Sequence, residues 1–298
     1  MKVLITGANG FLGQHLCKYL SLQGFHVLAV SRGPSRIPPQ VNVDYTSVEL
    51  ADAKAVDVLI QSAQPDILIH NAALSKPDEC NNNQPLCLQQ NVEVTTNLLQ
   101  SFRAIQSSQK RFIYISTDFI FGENGPHAED DATGPLNFYG TSKLLAEQQV
   151  IESGFPYAVI RPVFIYGPVW DGLRGSFLHW VKNNLEKQQP IKVVSDQQRT
   201  PTYVEDICKG IEQVIVQQKS GAFHLAGKDI VSPYQMAIAT ATVLGLDATL
   251  IEKVTSDTFI EPVKRAKRSG LTIDKAIAEL NYQPVSFEEG IKRTFNLS

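Results

Sequence analysis

Residues 2–20 read KVLITGANGFLGQHLCKYL, and this stretch decides the fold. Lys2 to Thr6 is a short apolar run of strand type, followed by Gly7, Gly10 and Gly13 in the spacing G-x-x-G-x-x-G. Leu12, Leu16 and Leu20 then recur every four residues with Cys17 beside them, the pattern of a helix laying one face on a sheet. Glycines between a first strand and a helix permit a tight turn and bring backbone N–H groups close to a pyrophosphate, which the positive helix end also attracts. Such a turn can be a plain loop, but strand, turn and helix stand here in the order that dinucleotide binding requires. Gly7, Asn9, Gly10, Phe11, Leu12 and Gly13 are therefore candidate cofactor residues.

The pattern continues outward. His26 to Val30 is a second strand ending at Ser31-Arg32, where folds of this kind place an acidic residue on the adenosine ribose. An arginine stands there instead. Its planar fork suits a 2′-phosphate, so NADP(H) is expected ahead of NAD(H), with Ser31 and Arg32 in contact. Val41 to Tyr45 reads as a third strand with Asp44 meeting the adenine amino group, and Leu50 to Ala63 as a helix. Pro65 to His70 is a fourth strand closing on Asn71, Ala72 and Ala73, small residues that let the backbone pass close to a cofactor. Leu88, Val92, Thr95 and Leu99 predict a long helix over about Gln84–Ser107. Asn91 lies inside it, as a hydrogen-bonder to neighbouring backbone and a further cofactor-site candidate.

The chemistry concentrates between Arg111 and Glu147. Phe112 to Ile115 reads as a buried strand ending in Ser116, Thr117 and Asp118, and Phe138 to Val150 as a helix. Tyr139 and Lys143 are four residues apart and project from one helix face. Reducing a carbonyl puts negative charge on its oxygen, and a phenol can supply the proton if a nearby ammonium eases its ionisation. Thr117 would hold the same oxygen, and Lys143 could also hold a cofactor ribose. Taken alone, a Tyr-x-x-x-Lys pair is a weak signal, more often an ordinary surface helix.

Alternating strands and helices up to a sixth strand at Tyr157–Arg161 imply parallel strands with right-handed crossovers, a doubly wound α/β (Rossmann) sheet. Beyond Pro162 the rhythm breaks into aromatic and turn residues. A smaller, discontinuous C-terminal substrate lobe is expected from about 164–202 and 227–298. The dinucleotide domain would then be 1–163 with about 203–226. The whole chain's formal charge of −3 supplies no basic field for nucleic acid or an anionic membrane. The histidines lack metal-ligand spacing. Cys17, Cys80, Cys87 and Cys208 fit neither a disulfide framework nor a zinc site, and read as ordinary thiols. The chain opens directly in a strand, without a secretion signal or a spanning segment, so a reduced cytoplasmic location is expected.

With these residues laid out, the chain resembles the extended short-chain dehydrogenases/reductases and, among them, the dTDP-4-dehydrorhamnose reductase group. The matching segments are ITGANGFLG (5–13), PDILIHNAA (65–73), NV (91–92), ISTDFIFG (115–122), EDDATGPLNFYGTSKLLAE (129–147), RPVFIYGP (161–168), DQQRTPTYVED (196–206) and RAKRSGL (265–271). They cover nearly the whole length. The resemblance implies NAD(P)H-dependent reduction of a nucleotide-linked 4-keto-6-deoxysugar by Thr117, Tyr139 and Lys143. The chain departs from the group at Phe11, in the loop LSKPDECNNN (74–83) and at KRAKR (264–268). Phe119, Tyr166, Trp170, Arg174, His179, Arg199 and Arg265 are candidates for the nucleotide-sugar side, the arginines as partners of a diphosphate. Alternatives from the same resemblance are a sugar-nucleotide epimerase and a non-catalytic regulator like the regulatory subunit of methionine adenosyltransferase. Exposed helices on such folds often form homodimers.

Overall fold

The computed structural model describes residues 1–170, 173 and 175–297. Its first half alternates strands with helices, except that the third strand follows the second directly. β1 (Lys2–Thr6), α1 (Phe11–Leu22), β2 (His26–Ser31), β3 (Val43–Ser47), α2 (Ala53–Ala63) and β4 (Ile67–His70) come in turn. Next are two short helices, α3 (Pro77–Asn82) and α4 (Gln84–Leu88), then a π turn (Gln89–Glu93), α5 (Val94–Phe102), β5 (Arg111–Ile115), α6 (Phe138–Ile151) and β6 (Tyr157–Arg161). The second half holds β7 (Ile165–Tyr166), α7 (Phe177–Glu186), β8 (Ile191–Val194), β9 (Thr202–Tyr203), α8 (Val204–Val216) and β10 (Gly221–His224). It ends with α9 (Pro233–Leu244), β11 (Ile251–Val254), α10 (Asp274–Leu280) and α11 (Phe287–Thr294).

Seven parallel strands form one sheet in the order β10-β6-β5-β4-β1-β2-β3. The central strands are buried on both faces, which helices cover, and are apolar except at their ends. Val3, Ile5 and Ile69 face the α1 and α8 side, and Leu4, Leu68 and Phe112 face α2, α5 and α6. The chain's progress across the sheet reverses between β1 and β4, whose following loops diverge and leave a crevice at their carboxyl ends.

Two small parallel pairs, β8 with β11 and β7 with β9, stand apart from this sheet with their own apolar cores. α7 and α9 pack over the first pair, and α11 packs on α9 and β9. α10 differs from expectation: Ala276 and Leu280 join the core of the main sheet, and the helix packs on α8 and β10. The predicted helix over 84–107 also differs. It ends at Phe102 and is interrupted by the π turn at Asn91, whose side chain turns inward to hold Leu74.

Candidate active site

A cleft of about 590 Å³ opens at the reversal point of the sheet. At one end is the glycine turn. Gly7 takes φ +66°, and a Cβ there would lie 2.7 Å from Ala72 N; on Gly13 it would lie 2.3 Å from Gly7 O. The first glycine thus admits the strand-to-strand approach, and the third lets α1 sit on the turn without itself lining the cleft. Thr6 Oγ1 accepts the N–H groups of Asn71 and Ala72 at 3.1 Å and lies 2.8 Å from His70 Nδ1. Gly7, Gly10, Phe11, Leu12, Asn71, Ala72 and Ala73 all line the cleft, as expected. Among the described residues no side chain caps the start of α1 and no acid occupies its first turn. Those N–H groups are open to an anion, which fits a dinucleotide pyrophosphate.

Three cofactor candidates do other work. Asn9 is turned away: its amide donates to Pro34 O (3.0 Å) and Tyr45 Oη (3.1 Å) and its Oδ1 accepts Arg36 N (2.8 Å), pinning the 32–36 loop. Asp44 pairs with His26 at 2.9 Å, because it lies opposite Leu28 in the middle of β2, short of the Ser31 end that reaches the cleft. Asn91 spends its side chain on Leu74 N (2.7 Å), Leu74 O (3.1 Å) and Ser142 Oγ (2.9 Å). It holds up the wall and does not line the cleft. Ser31 and Arg32 do reach the rim, and Arg32 stands 3.6 Å from Glu49. Glu49 was not foreseen: the acid sought at the end of β2 comes from beyond the end of β3, a neighbour visible only once strands are paired.

At the other end Thr117, Tyr139 and Lys143 converge. Thr117 follows β5 with extended backbone, and its Oγ1 lies 3.2 Å from Asp118 Oδ1. Tyr139 and Lys143 lie on α6, which Asn137 caps by accepting Gly140 N at 3.0 Å. Gly140 is forced by space, since a Cβ there would lie 2.1 Å from Phe119 O. Lys143 Nζ donates to Ile115 O at 2.7 Å and lies 4.1 Å from the Tyr114 ring centre. Burial drives its pKa down to about 7, with Glu147 the strongest opposing influence. The Tyr139 phenol moves the other way: burial holds its pKa well above 10, against a hydrogen bond with Thr117. The expected easing of the phenol by Lys143 is therefore not seen, because the ammonium is turned to the Ile115 carbonyl.

The substrate-side candidates divide. Phe119 lines the cleft and meets Tyr139 edge-on, 5.5 Å between ring centres. Arg199 and Arg265 border a small pocket that continues from Asp118 and Phe119. Arg199 donates to Gln198 O at 2.7 Å, and Arg265 is bound to Asp78 at 3.1 Å. Tyr166 is core, wedged between Tyr203 and Phe287. Trp170 stacks on His15 of α1 at 4.2 Å and is absent from the cleft lining. His179 helps cap α7 through Ser176. These three carry aromatic rings that the sequence could not orient. Arg174 lies outside the described residues.

Sequence reasoning missed Asp118 and a buried ionic group beneath Lys143. Asp118 lines both cavities; burial raises its pKa against the pull of Arg199. Glu147, one turn beyond Lys143, is ion-paired with Arg161 and accepts Ser116 Oγ at 2.7 Å. Arg161 also reaches Glu129 O at 3.0 Å and His224 Nε2 at 3.2 Å. A second i, i+4 step along α6 from Lys143 was the signal available for Glu147. Among the described residues no group of His, Cys, Asp and Glu has metal-binding geometry, and no helix is long and apolar enough to cross a membrane.

Comparison with known proteins agrees with this geometry. The profile of the RmlD substrate binding domain matches residues 1–298. Methionine adenosyltransferase 2 subunit beta of Rattus norvegicus is 32% identical over 98% of this chain and 86% of its own. Spore coat polysaccharide biosynthesis protein SpsK of Bacillus subtilis is 28% identical over 98% and 95%. The structure of dTDP-4-dehydrorhamnose reductase from Bacillus anthracis, in complex with NADP, superposes with a TM-score of 0.86 at 25% identity, covering 99% of this chain and 98% of that one. The chain belongs to the RmlD substrate binding domain family, within the extended short-chain dehydrogenase/reductase class.

Proposed function

We propose that the protein is an NADP(H)-dependent reductase of a nucleotide-linked 4-keto-6-deoxysugar. The convergence of Thr117, Tyr139 and Lys143 on a cleft that begins at an uncapped helix start carries this reading. The N–H groups of Phe11 and Leu12 would hold the pyrophosphate, Ser31 and Arg32 the 2′-phosphate, and Asn71 to Ala73 the middle of the dinucleotide. A bound nicotinamide supplies the hydride to the carbonyl carbon. Tyr139 gives its proton to the carbonyl oxygen, completing the alcohol, and its raised pKa keeps that proton in place across the neutral range. Thr117 donates to the same oxygen and fixes its position. Lys143 would turn from the Ile115 carbonyl to donate to the ribose, and only in that position bring positive charge beside the phenol. Phe119 walls the sugar side, with Arg199 and Arg265 nearest the place for a diphosphate. The NADP-bound reductase of B. anthracis supports the same assignment by likeness.

A second reading has its own observation. The 32% identity to a methionine adenosyltransferase subunit favours a nucleotide-binding regulator that does not turn over. The decisive experiment follows NADPH binding against NADH, then NADPH oxidation on adding a dTDP-4-keto-6-deoxyhexose, in wild type and Tyr139→Phe. The expected result is oxidation in wild type and a loss of roughly 10²-fold or more in the variant. Tight binding with no oxidation across several keto-sugar nucleotides would instead favour the regulator, or a substrate outside this class. Preference for NADH would remove the role given to Arg32.

A further inference from the structure

α3 and α4 each bury a single side chain, and in both it is a cysteine. The six residues between Cys80 and Cys87 are all exposed, so the two thiols are the buried anchors of this thin layer, beside the Arg265–Asp78 pair at its surface. The two thiols lie in one buried cluster with Tyr139, and each is the largest influence on the other's ionisation. Cys80 Sγ donates to Leu74 O at 3.3 Å and Cys87 Sγ to Ser142 Oγ at 3.3 Å. Asn91 Nδ2 bridges them, 3.1 Å from Leu74 O and 3.5 Å from Cys87 Sγ. The pair packs directly on Tyr139, and Ser75 and Pro77, which lead into α3, line the cleft. Cys17 and Cys208 offer a contrast: they sit among aliphatic side chains of the main core, where burial pushes both thiols up.

We propose that Cys80 and Cys87 are a redox modification site, joined by a peroxide-class oxidant into a reversible disulfide that reshapes this wall of the cleft. Cys87 is the attacking sulfur. Its pKa is drawn down by the hydrogen bond from Cys80, aided by Ser142, Lys143 and Asn91 against burial. Its thiolate takes one oxygen from the peroxide to become a sulfenic acid, and hydroxide leaves. The Cys80 sulfur then attacks that sulfur, the S–S bond forms and water departs. Two thiols are oxidised by two electrons, and the peroxide is reduced to two waters. Access comes through local opening of the one-turn helices, whose cover is thin. Bonded sulfurs stand about 2.05 Å apart, so each thiol must turn from its present acceptor, Leu74 O or Ser142 Oγ, toward the other, and α3 and α4 are drawn together. Leu74 O and Ser142 Oγ each lose a thiol donor in the same event.

The test treats the whole protein with hydrogen peroxide, then maps thiols by peptide mass and measures NADPH affinity before and after dithiothreitol. Support is a Cys80–Cys87 cross-link with Cys17 and Cys208 still free, and a several-fold weaker affinity that recovers on reduction. Neither change should occur in Cys80→Ser or Cys87→Ala. Thiols that stay free in the folded protein overturn the proposal. A cross-link that leaves affinity unchanged overturns the coupling to the cleft, and an affinity loss persisting in the variants assigns the damage elsewhere. The affinity arm rests on the cofactor reading above. The mass arm does not, so a protein that binds no nucleotide is still judged by its cross-link.

Discussion

Lys143 is a buried cation held by one carbonyl and one ring face, and that poverty of partners has a thermodynamic signature. Its pKa is about 7 in the folded protein against an ordinary 10.5. Between those values the unfolded chain holds a proton that the folded chain lacks, so this residue makes stability rise with pH across the window. Lys143→Met should therefore stabilise the fold at pH 7 by on the order of 1–3 kcal/mol, the pKa shift being partly offset by the lost hydrogen bond. The gain should disappear above the ordinary lysine pKa. Urea unfolding of both proteins at several pH values measures it, and a variant no more stable at neutral pH would contradict the account. The same titration bears on turnover. Tyr139 keeps its proton far above neutrality, so a reductase rate that falls as pH rises through about 7 reports loss of the Lys143 charge.

At the scale of elements, the structure ties α6 to its neighbouring strands through charge. Glu147 on α6 and Arg161 on β6 are both buried, and His224 on β10 completes the group as a neutral imidazole, its pKa lowered to about 3 chiefly by burial. Removing one partner strands the other charge. Arg161→Met should cost about 3–5 kcal/mol in denaturant unfolding, while Glu147→Leu combined with Arg161→Met should recover most of it. A double variant as unstable as the single one would show that packing, not charge, sets the cost. The π turn offers a second case: Asn91→Ala leaves the N–H of Leu74 without its partner and the carbonyl with only the Cys80 thiol. A loss of about 2 kcal/mol is expected, with faster amide exchange over 74–88. These two ties also mark how far the sequence was readable. The order of strands and helices, the glycine turn and the Thr117, Tyr139, Lys143 trio depend on local spacing, and spacing is written in the chain. Where Asn9, Asp44, Tyr166 and Trp170 point depends on strand register and on which neighbour arrives, and local spacing holds neither. Glu49 entered the cleft for the same reason, from a strand adjacent in space.

Across the whole molecule, residues 255–268 run between the small sheets and the cleft. The far part is stitched down by backbone bonds, such as Gln198 N to Lys267 O at 2.7 Å and Gly125 N to Arg268 O at 3.0 Å. The near part is held by Arg265 on Asp78 and by Asn137 Nδ2 on Lys264 O at 2.9 Å. Arg265→Ala should leave the global unfolding midpoint almost unmoved, because a partly exposed pair is worth about 1 kcal/mol or less. It should nevertheless speed tryptic cutting at Lys264 and Lys267, since the segment opens on its own. Unchanged cutting would mean that Asn137 alone suffices.

The strand order carries a consequence for the growing chain. β1 lies inside the sheet, between β2 and β4, whereas β10 closes one edge with residues 221–224. Translation therefore delivers an interior strand first and the last edge strand only after most of the polypeptide has left the ribosome. Until Gly221 emerges, β6 is the rim of an unfinished sheet, with a row of unpaired backbone groups facing whatever is nearby. A transcript truncated in that interval should yield a product that clumps or depends on chaperones, although every residue of the cleft's glycine turn and of the Thr117, Tyr139 and Lys143 trio has already been made.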